Sequence, residues 1–134
     1  MYQNKKGAEK IVTGKNKRKT GAIFEAKAVQ FLESQGYQIV ETNYRCRFGE
    51  IDIVAWDGKE AGQTLVFAEV KYRSSLRFGS PFEAVDEKKQ SVIKKTAQFY
   101  VKEHKIPANM NVRYDVVGIL GQKISLIKNA FGSM

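Results

Sequence analysis

The chain has 134 residues, 23 Lys plus Arg against 14 Asp plus Glu, and a formal net charge of +9. That length gives one domain, and 43% hydrophobic residues suffice for an ordinary core without disulfides. One Cys and one His exclude a Cys/His zinc site and paired-histidine catalysis. No GxGxxG occurs, and Gly7 to Gly14-Lys15 has the wrong spacing for a P-loop and is followed by Asn16.

Residues 1–19 carry Lys5, Lys6, Lys10, Lys15, Lys17, Arg18 and Lys19 against Glu9 alone. Two-thirds of the net charge therefore lies in a segment with the composition of a disordered extension, which could be drawn to phosphates. The remaining residues hold 16 basic and 13 acidic groups. The segment has no apolar run to serve as a secretory signal, and no stretch of the chain reaches the roughly 18–20 apolar residues of a membrane span. These absences and the lone Cys46 lead to the expectation of a cytoplasmic protein with no membrane partner.

Thr20 is placed to cap a helix from Gly21 to about Gln35, with Gly36 as its stop. Ala22, Val29 and Leu32 define its apolar face, and Glu25 falls in the middle of that face. A carboxylate aimed at a core requires a partner. Three strands are predicted next, at Tyr37 to Tyr44, Gly49 to Trp56 and Leu65 to Arg73. Asn43 is expected to turn the first into the second, and short links suggest an antiparallel meander.

Ser80-Pro81-Phe82-Glu83 has capping-box form and predicts a short helical turn. Asp86 caps a longer helix to about Lys105, Pro107 marks a break, and Asn111 to Leu120 reads as a strand. Gly121-Gln122 then forms a hairpin turn into Lys123 to Lys128. The order is αβββαββ. The division expected is a basic tail over 1–19 and a single domain over 20–131.

On a strand, residues two apart share a face. Glu50, Asp52 and Val54 share one, as do Glu69, Lys71 and Arg73 on the following strand. Facing the same side, Asp52 and Glu69 would be neighbours with Lys71 one pleat along. Two carboxylates at about 4–5 Å repel by several kcal/mol at an effective dielectric near 20, so positive charge must be present. Mg²⁺ meets that need with one or two carboxylates and retained waters, and Lys71 is then placed to orient the attacking water. Cross-strand ion pairs on exposed faces are the structural alternative, but they leave Glu25 unexplained.

Gly21-Ala22-Ile23-Phe24-Glu25, Asn43-Tyr44-Arg45, Gly49-Glu50-Ile51-Asp52-Ile53-Val54, Phe67-Ala68-Glu69-Val70-Lys71-Tyr72-Arg73 and Arg113-Tyr114-Asp115-Val116-Val117 resemble the successive signature blocks of the bacterial YraN family. That family is similar to Holliday junction resolvases, within the restriction-endonuclease-like PD-D/ExK superfamily. The resemblance spans roughly residues 18–131. It implies an α/β fold with a central mixed sheet flanked by helices. It also implies that Asp52, Glu69 and Glu25 are catalytic carboxylates, that Lys71 assists the water nucleophile, and that Mg²⁺ or Mn²⁺ is held by Asp52, Glu69, the Val70 carbonyl and Glu25. Ile51 stands where the superfamily name has proline, which removes no ligand.

The implied activity is endonucleolytic hydrolysis of DNA, branched DNA by analogy with resolvases, with a homodimer as the usual working form. The rivals are a non-catalytic nucleic-acid-binding module that keeps the fold, and an interaction protein whose ion pairs mimic a site. Arg73, Lys88, Lys89 and Gln90 are the candidate nucleic-acid contacts, with Arg45, Arg47 and Arg77 as further phosphate candidates. Asp115 beside Arg113 reads as a structural ion pair, His104 as a helix-end cation, and Trp56, Phe48 and Phe78 as packing.

Overall fold

The computed structural model describes residues 14–58, 63–81 and 85–132. Two helices, α1 (Gly14–Ser34) and α2 (Glu87–Glu103), flank five strands: β1 (Tyr37–Cys46), β2 (Gly49–Asp57), β3 (Thr64–Arg73), β4 (Asn111–Leu120) and β5 (Lys123–Ile127). The strands form one sheet in the order β1-β2-β3-β4-β5. Every neighbouring pair is antiparallel except β3 and β4, which are parallel with Thr64 opposite Asn111 and Arg73 opposite Leu120. A parallel pair needs a crossover, and α2 supplies it. This mixed sheet in αβββαββ order is that of a restriction-endonuclease-like fold, as the sequence implied.

Each helix covers one face. Phe24, Ala28 and Leu32 of α1 pack with Tyr37, Ile53, Ala55, Val66, Ala68, Val117 and Ile119. Ile93, Ala97 and Tyr100 of α2 pack with Tyr44, Ile51, Val54, Leu65, Phe67 and Tyr114. The central strands are apolar on both faces because both faces are covered.

The predicted elements differ from the observed ones in three places. Helix α1 begins at Gly14, so Thr20 lies inside it; Lys15, Lys17, Arg18 and Lys19 are good helix formers that extend the helix upstream. Its buried stripe is Phe24-Ala28-Leu32 and Ala22 is exposed. The stripe is set by Phe24, whose ring stacks on Tyr72 with centroids 3.7 Å apart. Asn43 does not turn the chain: Cys46 pairs with Gly49, which leaves Arg47 and Phe48 as the two-residue turn. Phe82 and Glu83 of the helical turn expected at Ser80 to Glu83 lie outside the described residues; a single 3₁₀ turn occupies Leu76–Phe78 ahead of it. As predicted, Asp86 caps α2, its Oδ1 accepting from the Lys89 N–H at 2.8 Å.

The hairpin tip lies tight against α2. A Cβ on Gly49 would stand 2.6 Å from Val92 Cγ1 and 3.1 Å from Thr96 Oγ1. Gly49→Ala should therefore push the hairpin off the helix and cost about 1–3 kcal/mol, measured by urea denaturation.

Candidate functional site

The site is built where β2 and β3 part. Their ladder runs from Asp57 opposite Thr64 to Ile53 opposite Ala68 and ends there. Ile53 packs on the α1 side of the sheet while Ile51, two residues earlier, packs on the α2 side. Strand alternation would keep them together, so β2 rolls between them, and Asp52 is the residue at the roll. Its Oδ2 accepts the Val70 N–H at 2.8 Å, standing in for the backbone acceptor that β2 no longer offers.

Beside this fork, Glu69 is buried on β3, its side chain only 8% exposed. Lys71 Nζ approaches Glu69 Oε2 at 3.9 Å. Lys89 Nζ, from α2, approaches the same oxygen at 3.2 Å. Asp52, Glu69 and Lys71 thus lie near one another at the end of the β2–β3 ladder, as their spacing predicted, with Glu69 reached from α2 by Lys89.

Glu25 arrives from the other layer. It is half-buried at the margin of the α1 stripe rather than in its middle, because Phe24 takes the central position. Its Oε1 accepts from Asn43 Nδ2 at 2.7 Å. Asn43 lies between Thr42 and Tyr44, the partners of Ile53 and Ile51, and so is level with Asp52. It holds a left-handed backbone (φ 55), a conformation Asn tolerates, inside β1. The Asn that looked like a turn residue is therefore a kink that holds Glu25 toward the site.

The carboxylates feel one another. Burial, then the charge of Glu69, push the Asp52 carboxyl up to about 7; the Val70 N–H opposes this, and Glu25 and Glu50 add to it. For Lys89, burial alone would favour the neutral form, but the charge and hydrogen bond of Glu69, with Asp52 and Glu50 behind, raise its pKa. Among the described residues, no three His, Cys, Asp or Glu side chains converge as a metal-binding group. What the fork does offer is two repelling carboxylates and the backbone carbonyl of Val70. A small set of protein oxygens suits Mg²⁺, which keeps waters of its own, and the Asp52 pKa is raised first by burial and then by the charge of Glu69.

The other candidate contacts are dispersed. Lys88 is exposed at the start of α2. Gln90 Nε2 donates to the Val85 carbonyl at 3.0 Å, bracing the helix entry. Arg73 Nη1 donates to the Tyr72 carbonyl at 2.9 Å. Arg45 is paired with Glu50 at 3.1 Å. Arg47 lies over the rings of Phe48 and Phe99 at the hairpin tip.

Sequence reasoning missed the extent of one structural network. Asp115 is wholly buried and pairs with Arg113 as expected, at 2.9 Å. The pair also draws in the Tyr37 hydroxyl, Asp57 and the Asn129 N–H. The signal that could have found it is a carboxylate at an inward position of a central strand, which must be paired.

Residues 24–119 match the model of the uncharacterised protein family UPF0102. The chain belongs to this family, and the resemblance to YraN proteins is borne out. The UPF0102 protein of Lachnoclostridium phytofermentans is 48% identical over 116 residues, covering 87% of this chain and 95% of that one. That of Caldicellulosiruptor bescii is 47% identical over 122 residues, covering 87% and 99%. The UPF0102 match begins at Phe24 and so contains Glu25, Asp52, Glu69, Lys71 and Lys89, leaving the basic N-terminal segment outside. No helix among the described residues of this UPF0102 protein is long and apolar enough to cross a membrane.

Proposed function

We propose that this protein is a divalent-metal-dependent endonuclease acting on DNA. The observation that carries the reading is the fork between β2 and β3, where Lys71 lies beside Glu69 and burial together with the charge of Glu69 pushes Asp52 up to about 7. Asp52, Glu69 and the Val70 carbonyl would hold Mg²⁺ or Mn²⁺, with Glu25 adding its charge from α1 directly or through water. The cation, when bound, supplies charge neutralisation and makes a water molecule more acidic. Lys71, only 18% exposed beside Glu69, would orient the water nucleophile and stabilise charge developing on the phosphate.

Asp52 keeps its orientation through the Val70 N–H, which leaves its other oxygen to the cation. The family's sequence resemblance to resolvases favours, by analogy, branched DNA as substrate and a homodimer as the working unit.

The test is cleavage of linear, flapped and four-way DNA with Mg²⁺ or Mn²⁺. Wild type should cut at least one of them, and Lys71→Ala should lose about two orders of magnitude or more of that rate. Binding of all three without Lys71-dependent cutting would assign the protein to the non-catalytic binding module instead.

A further inference from the structure

Lys89 is the third residue of α2, and a cation in the first helical turn faces the positive end of the helix. Lys88 meets that cost by standing exposed in water. Lys89 is exposed as well, but it has a partner: its N–H is fixed by Asp86 at 2.8 Å and its Nζ lies 3.2 Å from Glu69 Oε2. Lys71 Nζ is farther from the same oxygen, at 3.9 Å. One carboxylate oxygen therefore draws two ammonium groups from two different elements.

The two lysines are not equivalent. Lys71 is rooted on the same strand as Glu69, one pleat away, with its side chain 18% exposed. Lys89 is rooted on a helix, and its side chain is 45% exposed on a stem with four rotatable carbons. A divalent cation on Glu69 competes for the oxygen that Lys89 holds and repels the ammonium group that holds it. Lys71, the more deeply buried of the two, has less open space to move into. Lys89 can swing outward without moving any backbone.

We propose that Lys89 is a resident counter-ion of the Asp52–Glu69 pair which a divalent cation displaces, and that the displaced ammonium group then takes a backbone phosphate of the nucleic acid. This rests on the metal-dependent reading of the same carboxylates. Loss of Glu69 leaves Lys89 beside Lys88 in the first turn of α2, where both the helix and its neighbour favour an anion over a vacant position. Lys89 is then a positioning residue whose contact changes with the metal, rather than one that helps to ligate it. The arrangement couples the two ligands: metal binding frees a phosphate contact, and phosphate binding holds the competitor away from the metal.

The experiment compares wild type with Lys89→Met, which keeps the stem and removes the charge, and with Lys89→Arg, which keeps a cation. Mn²⁺ affinity is measured by calorimetry without nucleic acid. Affinity for a four-way DNA junction is measured in EDTA and in Ca²⁺, which allows binding without cutting. Lys89→Met should bind Mn²⁺ about tenfold more tightly than wild type, since a competing charge has gone. It should bind DNA like wild type in EDTA and several-fold more weakly in Ca²⁺. Lys89→Arg should stay near wild type in both assays.

Equal or weaker Mn²⁺ binding by Lys89→Met would overturn the counter-ion role. An equal loss of DNA affinity in EDTA and Ca²⁺ would overturn the hand-over, because it would make Lys89 a fixed phosphate contact. If wild type binds no Mn²⁺ while its fold is intact by circular dichroism, the metal reading itself fails, a result distinct from either of these.

Discussion

Arg113→Met should destabilise the domain by about 3–5 kcal/mol, the range for removing one partner of a buried ion pair. The reason is the number of groups that depend on this guanidinium. Its Nε reaches Asp115 Oδ1 at 2.9 Å and its Nη2 reaches Asp115 Oδ2 at 2.9 Å, Asp57 Oδ2 at 2.8 Å and the Tyr37 hydroxyl at 2.7 Å. Asp115 is 0% exposed, so water cannot replace the lost cation. Tyr37 is no substitute. Burial, then its hydrogen bond to Asp115, hold its hydroxyl well above the ordinary phenol range as a neutral donor.

The network joins the start of β1, the end of β2 and the middle of β4, and through the Asn129 N–H it ties down the segment after β5. Methionine fills much of the stem volume, which separates loss of charge from loss of packing. Urea denaturation followed by circular dichroism gives the size of the effect, and a cost under about 1 kcal/mol would mean that the network is solvated in solution. Arg113→Lys should fall between the two, since it restores one charge without the fork that meets Asp115 twice. Replacing Asp115 by Asn in the Arg113→Met background should recover part of the loss, because the stranded charge is then absent.

The fold and the site differ in how much of them can be read from the letters. The strands were legible because β3 and β4 are short apolar runs bounded by turn residues, and because Gly121-Gln122 closes a hairpin between β4 and β5. Asp52, Glu69 and Lys71 were legible for a related reason, since period two on adjacent strands brings such residues together without any knowledge of the helices. The β2 roll was not legible. It is visible only as Ile51 and Ile53 packing in different layers, and it depends on where α2 lies.

Asn43 shows a second limit. A left-handed Asn is a turn signal in sequence, yet the same backbone inside a strand makes a kink, and which one occurs is decided by the pairing of Cys46 with Gly49. Glu25 shows a third. Counting apolar positions placed it at the centre of the stripe, whereas the buried stripe runs through Phe24, Ala28 and Leu32, with Phe24 stacked on Tyr72. Lys89 was legible as a basic residue near a helix start, but its approach to Glu69 depends on the docking of α2 against the sheet.

Asp52→Asn should make the protein more stable in EDTA at neutral pH, although it removes a residue assigned to the site. In the folded protein burial and Glu69 push the Asp52 carboxyl from its ordinary value of 3.8 up to about 7. Between those two values the folded state keeps a proton that the unfolded chain has released, so stability falls as pH rises through this window. Below pH 4 the aspartic acid is protonated in both states and the two proteins should melt nearly together. Above pH 7 the difference should be at its full size and flat. Asparagine keeps an oxygen to accept the Val70 N–H, so the fork survives while the penalty disappears. A gain on the order of 2 kcal/mol corresponds to a rise in Tm of roughly 5–10 °C for a domain of this size. Adding Mg²⁺ should reverse the order, because wild type alone regains stability through the ligand it binds. Thermal melts of both proteins from pH 4 to 8, with EDTA and then with Mg²⁺, separate the two effects. A carboxylate that costs stability in EDTA and returns it with a cation is behaving as a ligand. One that costs nothing in EDTA, with no gap opening between the proteins as pH rises, would mean that Glu69 and Asp52 are already neutralised by Lys71 and Lys89, and that the fork has no need of a metal.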